Sequence, residues 1–142
     1  MTTAATQLPV ISYETAVALV AGAMAHARQQ SWAVSVAVLD PWGAVVASGR
    51  MDGVSPTILE IATDKAFTAT LGKSTKAFYE RMASSPDLAL GLQTRPRLCA
   101  WEGGLPIYSE GRMIGSIGVS GAEGHEDVAC GEAALGAQGL AS

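Results

Sequence analysis

Lys65 is the residue whose setting most needs an explanation. In PTILEIATDKAFTATL it lies seven residues after Ile58, four after Ile61, three after Ala62 and four before Ala69. On a helix that spacing puts its ammonium at the centre of an apolar stripe. A charge there must reach out to water, pair with a carboxylate, or meet an anionic ligand, because burying it alone is too costly. Glu132 raises the same question on the last helix, where it shares a face with Val128, Gly131 and Leu135. A Lys65–Glu132 ion pair is the expectation that satisfies both. Arg50, on the polar exit Arg50-Met51-Asp52-Gly53, could join Lys65 and the first N–H groups of the Pro56 helix in holding an anion. Asp52 or Glu132 would then be the acid or base. The plainer reading makes these charges surface or turn residues, as Asp40 before Pro-Trp-Gly is a turn former.

Other chemistries find less support. Cys99, Cys130, His26 and His125 are scattered and do not form a zinc-ligand pattern. Gly118-Val119-Ser120-Gly121-Ala122 lacks the last glycine of a nucleophile elbow, and two histidines in the chain leave a Ser120 triad poorly supplied. There is no P-loop and no G-x-G-x-x-G. Nine Lys plus Arg against thirteen Asp plus Glu give a net charge of −4 without any basic run, which argues against nucleic acid as a partner. No long apolar stretch or positively charged leader is present, so the expectation is a cytoplasmic protein that does not enter a membrane.

The element on which these residues depend is Gly103–Ala122, GGLPIYSEGRMIGSIGVSGA. It reads as a β-hairpin around Ser-Glu-Gly-Arg, with Pro106 to Tyr108 in one strand and Met113 to Val119 in the other. Gly115 and Gly118 inside the strand imply bulges or a close approach of helix or ligand. Gly103, Gly104, Gly118 and Ser120 would then form the floor of a ligand pocket. Upstream, residues 1–11 read as a loose tail. Ser12 caps a helix from Tyr13 to Gln30, with Val17, Val20, Ala21 and Met24 expected as its core face. VSVAVL and the residues after Asp40-Pro41-Trp42-Gly43 form a second hairpin, and Ser55-Pro56 opens the Lys65 helix. Ser74 or Thr75 caps a short helix, Ser85-Pro86 starts another, and Leu98–Trp101 is expected as a fifth strand. A loop containing His125 leads to the last helix. The order predicts one α+β domain over 12–142, a mainly antiparallel five-stranded sheet with helices packed on it. Its 49% hydrophobic and 15% charged content favours a homo-oligomer.

Laid out this way, the chain resembles the GlcG/HbpS-like family, the haem-degrading or domain-of-unknown-function 336 group, which includes the C-terminal domain of PduO-type corrinoid adenosyltransferases. The resemblance runs from about Ile11 to Leu135. It rests on GGLPIYSEGRMIGSIGVSGA, with VSVAVLDPWGAVVA, RMDGVSP, DKAFTA and LGKST in support. It implies a profilin-like α/β/α domain, a small-molecule ligand, and haem or another tetrapyrrole as the cofactor. Iron ligation would fall to His26, where a histidine of the first helix is frequent in the family, or to His125, just before Asp127, the matching last-helix aspartate. Two alternatives stand beside this. One is a cofactor-independent isomerase, lyase or hydrolase acting on a small anionic or oxygenated metabolite, using Lys65 and Arg50 with Asp52 or Glu132. The other is an oligomeric accessory subunit.

Overall fold

The computed structural model describes residues 4–142. Its elements are α1 (Tyr13–Gln29), β1 (Ser35–Leu39), β2 (Val45–Arg50), α2 (Pro56–Ala69), α3 (Thr75–Met82), α4 (Pro86–Leu92), β3 (Gly104–Ser109), β4 (Arg112–Ser120) and α5 (Gly124–Ala137). The expected caps are in place. Ser12 Oγ accepts from Thr15 N, Ser55 Oγ from Thr57 N and Ser74 Oγ from Ala77 N, each meeting one of the N–H groups a helix start leaves free.

The strands form one antiparallel sheet in the order β2-β1-β4-β3. The β3–β4 turn has positive φ at Glu110 (51°) and Gly111 (77°), the combination a tight two-residue hairpin requires. The register slips after Ile107, which faces Gly115 while Tyr108 faces Met113, so the extra residue sits beside Gly115 as its glycine suggested. Val36, Val38, Ile117 and Val119 point to one face, where α1 and α5 cover them together with Leu105 and Ile107. Ala37 and Leu39 point to the other, against Ala66 of α2. Helices thus cover both faces of the sheet. On the α2 face the strand glycines serve close packing. A Cβ at Gly118 would fall on the Ala62 carbonyl and one at Gly104 on the Lys65 carbonyl, so only bare backbone lets α2 approach.

Three expectations are corrected. The sheet among the described residues has four strands. Leu98–Trp101 is irregular because its backbone is taken up by a side chain of α2, with Cys99 N donating to Thr68 Oγ1 at 2.8 Å. The outer edge of β3 carries instead one isolated bridge, Tyr108 to Ala141. On α1 the core face is Ala16, Leu19, Ala23 and Ala27, all with no exposed surface, while Val17 is 41% exposed. The helix comes close to α5 at Gly22, where a Cβ would stand 3.4 Å from the Ala134 backbone, and this turns Val17 outward while Val20 and Met24 stay half-buried against the core. Last, His125 is not in a loop; it lies in the first turn of α5. No helix among the described residues is long and apolar enough to cross a membrane.

Candidate functional site

Lys65 sits on the sheet-facing side of α2 and is only 3% exposed. Its carboxylate partner is Asp127, at 3.0 Å from Nζ to Oδ2, and Asp127 is itself 2% exposed. The ammonium also donates to the Val119 carbonyl at 3.0 Å. That carbonyl lies past the start of β3, where Gly103 O has already accepted from Val119 N, so Lys65 supplies the donor that a longer strand would have provided. The other carboxylate oxygen of Asp127 accepts from Ala122 N at 3.0 Å. Burial pushes the Asp127 carboxyl above its ordinary value, opposed by the Lys65 charge and the Ala122 N–H. Position on the first turns of α5 adds a favourable helix dipole for the carboxylate.

Both oxygens of Asp127 are therefore engaged, whereas an ammonium has three hydrogens to give and Lys65 makes two protein bonds. The pair forms one wall of a cleft of about 310 Å³, lined also by Ile58, Ile61, Trp101, Glu102, Ser120 and the Gly121–Ala122 backbone. Trp101 is 64% exposed at its edge. Glu102 packs on the first turn of α5, 2.9 Å from where a Cβ of Gly124 would stand. This arrangement can offer a hydrogen-bond donor, an acceptor and an apolar wall to a small molecule.

The expected Lys65–Glu132 pair does not form: Glu132 is exposed on α5 and lines a separate cavity of about 620 Å³ with Lys73, Lys76 and Tyr108. The buried stripe of α5 is Asp127, Cys130, Gly131 and Ala134, at i, i+3, i+4 and i+7, which turns Glu132 outward. Gly103, with φ of 130°, is packed between Lys65 Nζ and Asp127 Cβ, and Ser120 reaches the cleft. Gly104 and Gly118 lie under α2. Arg50 and Asp52 are exposed and outside the cleft lining; Arg50 donates to the Val54 carbonyl and so holds its own loop. His26 is half-buried, edge-on to Trp32 with ring centroids 6.0 Å apart, and His125 is exposed. Trp101 and Glu102 were not singled out in the sequence. Their only signal was their place just before the glycine-rich hairpin.

A family model described as haem degrading protein HbpS-like matches residues 11–136. The chain belongs to the HbpS-like family. It is 37% identical to Protein GlcG of Escherichia coli K12 over 111 residues, 78% of this chain and 81% of that protein. A double mutant of Streptomyces reticuli HbpS has a TM-score of 0.84 at 30% identity, covering 94% of this chain and 90% of that one. The crystal structure of a PduOC–haem complex, at 22% identity, has a TM-score of 0.85 with 93% and 97% coverage, which speaks to the shared fold.

Haem iron is held by His, Cys, Met or Tyr. The Lys65 cleft of this HbpS-like chain offers none of these on its lining, so its residues do not fit an iron-bound haem. His26 does fit as a donor. It is partly accessible beside the indole of Trp32, and its helix also lines a groove of about 570 Å³ with Tyr13, Val17, Met24 and Arg28.

Proposed function

We propose that this HbpS-like chain is a small-molecule-binding protein whose ligand is haem or another tetrapyrrole, held through His26. The observation that carries the reading is the setting of His26, a half-buried imidazole on the exposed flank of α1 against the edge of Trp32. The match to the HbpS-like family and the haem complex of a protein with the same fold support the ligand class. Bound haem would supply the redox and oxygen chemistry of its iron; the protein residues would hold and shield it. His26 would ligate and Trp32 would pack beside it. Exposed Tyr13 and Val17, on the side of α1 away from His26, also support association with a second copy of the chain.

Haemin titration followed by absorption tests the reading. The wild type is expected to give a saturable Soret shift that His26→Ala removes and His125→Ala retains. A shift that persists in His26→Ala would discard ligation by His26, and no shift in the wild type would discard haem.

A second reading follows from Lys65, whose third ammonium hydrogen has no protein acceptor among the described residues. It supports binding of a small oxygenated metabolite in the Lys65 cleft. Enzymatic use of that cleft by Arg50, Asp52 or Glu132 is not favoured, because none of the three lines it.

A further inference from the structure

The geometry points to a second ligand site, independent of the haem reading, in the Lys65 cleft: a seat for a small hydroxycarbonyl compound, meaning a hydroxy acid or a hydroxyketone. Four observations converge on it. The Lys65 ammonium, at 3% exposure, spends two hydrogens on Val119 O and Asp127 Oδ2 and lines the cleft with one still to give. Each Asp127 oxygen already accepts one bond, from Lys65 and from Ala122 N, and the remaining ammonium hydrogen is open to an acceptor in the cleft. A ligand that uses it brings an acceptor oxygen, either a carbonyl or a carboxylate.

Glu102 sets the second requirement. It lines the same cleft, packed on the first turn of α5, whose capping groups are already supplied by Glu123 and Glu126. A carboxylate so placed accepts hydrogen bonds and repels a bare dianion. It suits a hydroxyl on the ligand next to the oxygen that Lys65 binds.

A buried orphan lies beside the cleft, next to Ser120. Ser35 Oγ is fully buried and has no hydrogen-bond partner, in a structure where buried hydroxyls elsewhere are bonded, as Ser116 Oγ is to Ala66 O at 2.6 Å. In the ladder Ser35 stands opposite Ser120, which lines the cleft, and opposite Arg50 on its other side. Cross-strand partners share a face, so a row of polar side chains runs along this end of the sheet from the cleft outward. Ser35 is outside the lining, and Ser120 is the member of the row that a ligand would meet.

Finally, Ile58, Ile61 and Trp101 give the cleft an apolar side, and its volume of about 310 Å³ is at the small end of ligand sites. A few carbons with two adjacent oxygen functions match these walls; a macrocycle does not.

The test uses four probes against the whole chain: lactate, hydroxyacetone, propanoate and propane-1,2-diol, read by the fluorescence of Trp101. Lactate or hydroxyacetone should give a saturable change that Trp101→Phe removes. Propanoate and propane-1,2-diol, each lacking one of the two functions, should bind at least about tenfold more weakly. Glu102→Gln, at a partly exposed position where folding is not at stake, should weaken the responding probe by a similar factor. A response to lactate alone assigns a carboxylate to Lys65, and one to hydroxyacetone alone assigns a ketone. The proposal is overturned by no saturable response to any probe up to about 10 mM, by a response that survives Trp101→Phe, or by equal affinity in Glu102→Gln. His26→Ala should leave the lactate or hydroxyacetone response intact and Glu102→Gln should leave the haemin titration intact, so either site can fail without the other.

Discussion

Helices α1 and α2 carry apolar stripes of similar regularity, yet the α2 stripe packs on the sheet while the α1 stripe is half in and half out, with Val20 and Met24 against the core and Val17 and Ala21 exposed. On α2 the stripe read from spacing is the one that packs: Ala62, Lys65, Ala66 and Ala69 are buried over the sheet. On α1 the residues Val17, Val20, Ala21 and Met24 line an open groove, and Ala16, Leu19, Ala23 and Ala27 are fully inside. The difference lies in what each helix approaches. Helix α2 sets its backbone at Ala62 and Lys65 over Gly118 and Gly104, and its one long buried side chain, Lys65, runs out to Asp127. Helix α1 approaches α5 at Gly22, buries Leu19 among its alanines, and rests Val20 and Met24 on Gly49 of β2, so that Val17 and Ala21 are the exposed members of its stripe. A row of alanines on an amphipathic helix is thus as strong a sign of the core as a row of valines, when the neighbouring helix is also built of Ala and Gly.

The largest effect that would break this contrast is at the charge α2 is able to bury. Asp127→Ala leaves the Lys65 ammonium inside without its counter-charge, and an uncompensated buried charge costs about 3–5 kcal/mol. Urea denaturation should show that loss. The double variant Lys65→Met with Asp127→Leu should recover most of it, since a well-packed apolar pair replaces a buried ion pair at little cost. If Asp127→Ala unfolds at the wild-type urea midpoint, the ion pair is not what lets α2 carry a lysine inward.

How much of this was legible follows from the same contrast. The capping serines, the Glu110-Gly111 turn and the glycines under α2 each answer to one local rule, and each is where the sequence put it. Lys65 was legible as a charge on a buried face. Its partner was not, because the expected stripe on α5 ran through Val128, Gly131, Glu132 and Leu135: Gly131 and Leu135 are buried, but the buried set begins at Asp127 and takes in Cys130 and Ala134, and Val128 outweighs Asp127 in hydrophobicity. The fifth strand failed for a different reason. Leu98–Trp101 has strand-like residues, but the Thr68 hydroxyl satisfies its backbone, and such a tertiary bond leaves no periodic trace. Glu102 and Trp101 reached the cleft through that irregular segment and were invisible for the same reason.

The α1 face can be tested with one pair of substitutions. Ala23 has no exposed surface, so Ala23→Leu should force α1 and α5 apart and cost about 1–3 kcal/mol. Val17→Ser, on the stripe that hydrophobicity favours but which is 41% exposed in the chain, should change stability by no more than about 0.5 kcal/mol. Both are read as shifts of the thermal midpoint at low protein concentration. The reverse ranking would return the core to the Val17 face. A large loss at Val17 that appears only at high concentration would instead locate a contact between copies.

The smallest effect concerns Cys130, one turn after Asp127 on the buried stripe of α5. Burial first, then the neighbouring Asp127 charge, pushes its thiol from the ordinary 9.0 up to about 11. Because the folded value is the higher, the chain holds that proton more tightly than the unfolded chain does. The contribution to stability is fully present below about 9 and is lost as pH rises through about 11. Thiolates, not thiols, alkylate; burial raises the Cys99 thiol too, but Cys99 is half-buried and Cys130 fully buried, so iodoacetamide at about pH 8.5 should modify Cys99 first and leave Cys130 intact until the chain is unfolded. Asp127→Asn removes one of the causes and should make Cys130 labelling faster, because the thiolate no longer faces a carboxylate. If labelling of Cys130 is as slow in Asp127→Asn as in the wild type, burial alone sets the thiol, and the charge on α5 is absorbed wholly by Lys65.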